Sequence, residues 1–159
     1  MGFKNVVELG WGETYKNGIT IHAFKPKHWG MRFPWEKIKR GYNSYLIESN
    51  GKSIFFAGDT GYSDLFKEIG SRYFVDLAIF PIAAYNRPPT FRPVHMTPGD
   101  AIQAFKDLKA KNLIPIHWGN FRLSLEPMNE PPTILKNLAK IENIEDRVHI
   151  LENGKSFHI

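Results

Sequence analysis

From Ile54 onward the sequence changes rhythm, and that change constrains the fold more than any other feature of the chain. Apolar runs of strand length alternate with segments of helical periodicity: Ile54-Phe55-Phe56-Ala57-Gly58, a helix near Ser63 to Ile69, the run Asp76 to Ile82, a helix from Pro98 to Ala110, the run Asn112 to Gly119, a helix from Pro132 to Ile141, and Arg147 to Leu151. Such alternation is the pattern of βα units. The first third reads instead as antiparallel β. Val6 to Leu9 is a short apolar run, Ile19 to Phe24 alternates after an Asn17-Gly18 turn, and Ser44 to Glu48 and Ser53 to Ala57 flank Asn50-Gly51. An Asn-Gly pair between alternating segments is the strongest short hairpin signal, because a type I′ turn needs positive φ at both central residues. The expectation is an α/β chain with a mostly antiparallel front and βα units behind. A further hairpin is expected at the end, where Asn153-Gly154 turns Arg147 to Leu151 back into Ser156 to Ile159.

Two of the helices carry clear start signals. Thr97 is placed to cap the middle one, Pro98 suits the first helical position, Asp100 complements the dipole, and Ala101, Ile102, Phe105 and Leu108 form an apolar face. The last helix opens on Pro131-Pro132 and is expected to turn Ile134, Leu135, Leu138 and Ile141 inward.

At 159 residues the chain, 1–159, is expected to be a single domain. An apolar share of 42% with 23% charged residues is that of a folded globular protein. No apolar run reaches the length of a membrane span, and the N-terminus lacks a basic start followed by an apolar block. A cytoplasmic location is therefore expected, with a membrane-peripheral one as the alternative. The absence of cysteine removes disulfides, thiolate metal sites and cysteine nucleophiles together, so any metal must be held by histidine and carboxylate. The net charge of +5 is drawn in part from Lys25 to Arg40, where Trp29, Phe33 and Trp35 are interleaved with basic residues. This segment suits an anionic partner, or is a solvated loop whose aromatics pack inward. No zinc-finger spacing, RNA-binding aromatic motif or polybasic run points to nucleic acid, which is not an expected partner.

Chemistry concentrates at three points. His28, Asp59 and His117 each lie where strand-like sequence gives way to a glycine-containing loop, in KPKHWG, FFAGDTG and IPIHWG. In α/β folds the loops beyond strand carboxyl ends collect functional groups. Taken singly, Asp59 could cap the following helix and His117 could be a hydrogen-bonded structural residue. Taken together, two imidazoles and a carboxylate suit zinc and similar divalent metals, and an aspartate can bridge two ions. His95, just before the middle helix, is a candidate to protonate a leaving group, steady an oxyanion or bond the helix start. His22, His149 and His158 read as structural or surface residues. No G-x-S-x-G elbow or P-loop is present. The Gly58-Asp59-Thr60-Gly61 turn has the composition of an aspartic-protease loop, but that dyad needs a second such loop and an all-β fold.

At FFAGDTGYSDLFKEIGSRY, FVDLAIFPIAAYNRP and IPIHWGNFRLSLEPMNEPP the chain resembles the metallo-β-lactamase-fold hydrolases, in the branch of the N-acylphosphatidylethanolamine-hydrolysing phospholipases D. The resemblance runs from about Val6 to the C-terminus. It implies an αββα sandwich with two zinc ions, His28 belonging to one, His117 to the other and Asp59 bridging them. It also implies that His95 lines the active site with Asp59 in the catalytic centre, and that Arg87 and Arg92 lie on the substrate side. The H-x-H-x-D-H motif that supplies the other ligands in that family is not in this sequence. The chain is thus expected to be the C-terminal half of the sandwich, one sheet layer with its flanking helices. The implied activity is zinc-dependent hydrolysis of a small anionic or lipid-like phosphodiester by a metal-bridging hydroxide. That activity would require a homo-oligomer or a complementary N-terminal half, and the alternative is a non-catalytic remnant acting as a weak metal-binding or interaction module.

Overall fold

The computed structural model describes residues 2–30, 41–86 and 94–159. Six strands form one sheet in sequence order: β1 (Thr14–Lys16), β2 (Thr20–Phe24), β3 (Ser44–Ser49), β4 (Lys52–Phe56), β5 (Leu77–Pro81) and β6 (Asn112–Ile116). The first four pair antiparallel, while β4, β5 and β6 run parallel. Both Asn-Gly turns of the antiparallel front form as expected. Asn50 and Gly51 sit at φ of 49° and 71°, the left-handed pair that lets a two-residue connection follow the twist of its strands.

Three helices complete the fold: α1 (Leu65–Arg72), α2 (Pro98–Leu108) and α3 (Glu130–Ile141). Thr97 makes a full capping box, its hydroxyl accepting from the Asp100 N–H at 3.0 Å and its own N–H donating to the Asp100 carboxylate at 3.0 Å. Strand residues alternate between faces, and the buried set Leu46, Phe55, Ala78, Phe80 and Leu113 joins one apolar cluster with residues of all three helices. The opposite sheet face carries Tyr45, Ile47, Ile54, Phe56, Ile79 and Ile114, none of them fully buried, with Phe56 38% exposed.

Three sequence expectations are corrected. Val6 to Leu9 is not a strand, and Val6 and Val7 are exposed. The closing hairpin does not form. The Asn153-Gly154 turn is made, with Gly154 at φ 84°, but Val148 instead takes the open edge of β6 in an isolated parallel bridge to Leu113. His149 adds a backbone hydrogen bond to Leu113 and stacks on Phe157 at 4.0 Å between ring centroids. On α3, Leu135 is fully buried but Ile141 is 73% exposed, because the final turn runs past the cluster that its neighbours fill. Among the described residues no helix is long and apolar enough to cross a membrane.

Candidate functional site

Asp59 and His117 leave the carboxyl ends of the parallel strands β4 and β6, and β5 between them leads toward the segment that ends at His95. Sheet order thus gathers at one edge residues that are far apart in sequence. Gly58 makes the turn possible, at φ 64° and with only 3.0 Å between an ideal Cβ and the Asn43 carbonyl. His28 is delivered by a separate device. The buried Thr60 hydroxyl accepts from the Lys27 N–H at 3.0 Å, and the Gly61 N–H donates to the Lys27 carbonyl at 3.0 Å, so the 27–28 segment is pinned against the turn that carries Asp59. Thr60 was not foreseen as part of the site, since its partner lies 33 residues away.

The result is a symmetric arrangement about one carboxylate. Asp59 Oδ2 lies 4.0 Å from His28 Nε2 and Asp59 Oδ1 lies 3.5 Å from His117 Nε2. His28 Nδ1 sits 2.6 Å from the Trp29 carbonyl. The Trp29 N–H donates to the same Nδ1 at 2.7 Å, and the buried Nε2, turned toward Asp59, has no hydrogen-bond partner. His117 Nδ1 is also buried without one. The His95 ring, 9% exposed as a residue, stands 5.2 Å from the His28 ring, edge-on, and 5.2 Å from the His117 ring. Asp59 does not cap α1, whose N-cap is Asp64. His117 adopts φ 62°, a left-handed conformation costly for a residue with a Cβ and of the kind that concentrates at functional sites.

Two zinc ligands at ordinary N and O distances on a tetrahedral ion span about 3.4 Å. The 3.5 Å and 4.0 Å separations and the unpartnered His28 Nε2 are those that a divalent metal between carboxylate and imidazole would require. Among the described residues no group of three or more His, Asp or Glu side chains is placed to hold a metal.

Of the remaining histidines, His22 and His149 serve the fold, and His158 is exposed. His22 bridges Thr14 Oγ1 and Glu48 Oε2, each at 2.9 Å, and His149 bonds Asn112 at 2.9 Å, with burial lowering its pKa. Arg87, Arg92, Phe33 and Trp35 lie outside the described residues. Trp29 does not pack inward. It is 44% exposed and stacks beside His28. A trough of about 490 Å³ runs from His117 and Trp118 between β6 and the Leu151–Lys155 segment.

Comparison with known proteins gives the family and the fold. Residues 2–118 match the family model of the beta-lactamase superfamily domain, and the chain belongs to that superfamily, in its metallo-β-lactamase fold. It is 37% identical over 98% of its length to the mitochondrial N-acyl-phosphatidylethanolamine-hydrolyzing phospholipase D of Saccharomyces cerevisiae, and covers 35% of that protein. A metallo hydrolase from the archaeon Ignicoccus hospitalis superposes with a TM-score of 0.72 at 22% identity, over 94% of this chain and 58% of that one. A metallo-beta-lactamase fold protein from Bacillus subtilis gives 0.64 at 17% identity, over 94% and 54%.

Proposed function

We propose that this chain contributes one side of a two-metal hydrolytic centre, with His28 and Asp59 toward one zinc ion and Asp59 and His117 toward the other. The observation that carries the reading is the Asp59 carboxylate, with one oxygen turned to each imidazole. Bound there, divalent metal supplies Lewis-acid activation of water and neutralises developing negative charge. The chain's own groups do the rest. Asp59 fixes the spacing of the two histidines, and His95, between their rings, is placed to hand a proton to a leaving group or steady an oxyanion. Arg87 and Arg92 are proposed on sequence alone to bind the substrate's anionic group. A phosphodiester of lipid type is the proposed substrate class, supported by the yeast relative's name.

Two protein atoms per ion fall short of the three that catalytic zinc ordinarily takes. We assign the missing ligands to residues outside these 159, in the same polypeptide or in a second chain that covers the apolar sheet face. The same shortage favours one rival, a non-catalytic member of the fold that binds metal weakly. Zinc content and zinc affinity of the purified chain decide between them. The centre predicts bound zinc that is lost in Asp59→Ala and reduced in both His28→Ala and His117→Ala. Metal-free protein that cannot be loaded with zinc sinks it.

A further inference from the structure

The loops that leave β5 and β6 are joined by a carboxylate that has no part in the proposed metal set. Glu126, only 6% exposed, accepts from the Ala84 N–H at 2.6 Å through Oε1 and from the Asn86 N–H at 3.1 Å through Oε2, and the Ser124 hydroxyl donates to the same Oε2. Backbone reinforces the link, because the Leu125 N–H donates to the Asn86 carbonyl at 3.1 Å. Nearby, the Tyr85 hydroxyl donates to Glu130 at 2.9 Å. A buried carboxylate receiving several donors is held as the anion, and such charge-assisted bonds are about twice as strong as neutral ones. Ala84 is left-handed at φ 65° and 3% exposed, so the turn that Glu126 holds is one its sequence would not adopt unaided. The turn lies between β5 and His95. Glu126 lies between His117 and α3.

We propose that Glu126 is a positioning residue, whose carboxylate locks the Ala84–Asn86 turn to the loop after β6 and thereby fixes the wall of the cleft that Ala84 and Glu126 share with His117. Its significance for chemistry rests on the site proposed above. The lock itself is a property of the fold. A glutamine at 126 keeps the shape but turns an NH₂ toward one of the two N–H donors, so at least one bond becomes a donor–donor contact.

The test is amide hydrogen exchange and imidazole NMR on the full chain, comparing wild type with Glu126→Gln and Glu126→Asp. In Glu126→Gln, exchange at Ala84 or Asn86 accelerates by about tenfold or more, the loss expected for a charged hydrogen bond. The His117 ring resonances shift, while amides of Leu46, Phe55 and Phe80 keep their protection. Glu126→Asp, which keeps the charge on a shorter stem, falls between the two. Should Glu126→Gln not fold, Glu126→Asp is read by the same criteria. Unchanged exchange at Ala84 and Asn86, an unmoved His117 ring, or a loss of protection spread equally over the core overturns the proposal. Zinc titration of the same samples reads the metal centre separately, so a chain that never binds zinc removes the proposed function and leaves the exchange result to judge the lock.

Discussion

At the scale of single residues, the site carries backbone strain, and buried carboxylates hold the fold that bears it. His117 at φ 62° offers a direct measure of the strain. His117→Ala and His117→Gly both remove the imidazole and both should lose zinc, but glycine accepts the left-handed backbone without steric cost. The glycine variant is therefore expected to be more stable than the alanine variant by about 1 kcal/mol in urea unfolding, and equal stabilities would show that the strain is not there. Asp76, 4% exposed, accepts from the Ser53 N–H at 3.0 Å and from Lys111 Nζ at 3.0 Å. Burial alone would raise its pKa, but the Lys111 and Ser53 bonds outweigh it and the value is lowered, as it is for Glu126 through Ser124 and the Ala84 and Asn86 N–H groups. A carboxyl with a lowered folded pKa contributes stability that is complete above the unfolded value, about 4, and disappears as pH falls through the folded one. Asp76→Asn should thus be less stable at pH 7 by about 1.5–3 kcal/mol and should lose less further stability than wild type between about pH 4 and 2. A parallel acid-unfolding curve for the variant would remove Asp76 from that account.

At the scale of elements, the order of strands and helices was legible because each carries its own local signal, and the failures occurred where a distant partner decides. The Thr97 cap is such a local signal. Thr97→Ala should cost about 1 kcal/mol and speed exchange in the first turn of α2. The α1–α2 contact is not a local signal. Nothing in the run Leu65 to Arg72 marks Gly70 as special, yet an ideal Cβ there would come within 2.3 Å of the Asp107 carbonyl oxygen and 2.8 Å of the Leu108 backbone. Gly70→Ala gains about 1 kcal/mol of helix propensity. It also forces two packed helices apart, a cost that contact with rigid backbone makes the larger of the two. Net destabilisation of about 1–3 kcal/mol is expected by denaturant melting, and a stabilised variant would mean that the helices are not so close. The missed hairpin has the same cause. Asn153-Gly154 signals a turn correctly, but only the open edge of β6 explains why Val148 pairs parallel to Leu113 and not back upon the C-terminus. The site divides likewise. His28, Asp59 and His117 were visible as ligand-type residues at strand ends, whereas Thr60 and Glu126 act on backbone 33 and 40 residues distant and carry no mark of it.

At the scale of the whole molecule, the half-used sheet and the half-supplied metal site point the same way. All three helices pack on one face, and the other presents Ile47, Ile54, Phe56, Ile79 and Ile114 with no helix over them among the described residues. A contiguous apolar face of this kind marks an interaction surface, and two sheets packed face to face bury just such residues. If this face receives the structure that also brings the remaining ligands, sheet cover and metal affinity should be lost together. Charging it tests that link, because a lysine at a half-buried position of this face can still carry its ammonium out to water, but cannot be buried against an apolar partner without a large penalty. The purified wild-type chain is accordingly expected to bind an apolar dye or to associate at micromolar concentration by light scattering. The Ile54→Lys/Ile79→Lys variant should stay folded and monomeric with little dye signal. Where association raises zinc affinity in the wild type, the variant should also lose that gain, although neither position lies among the residues proposed to hold metal. A wild-type chain that is monodisperse, free of dye and as tight for zinc as its charged variant would separate the sheet face from the site and refute the coupling.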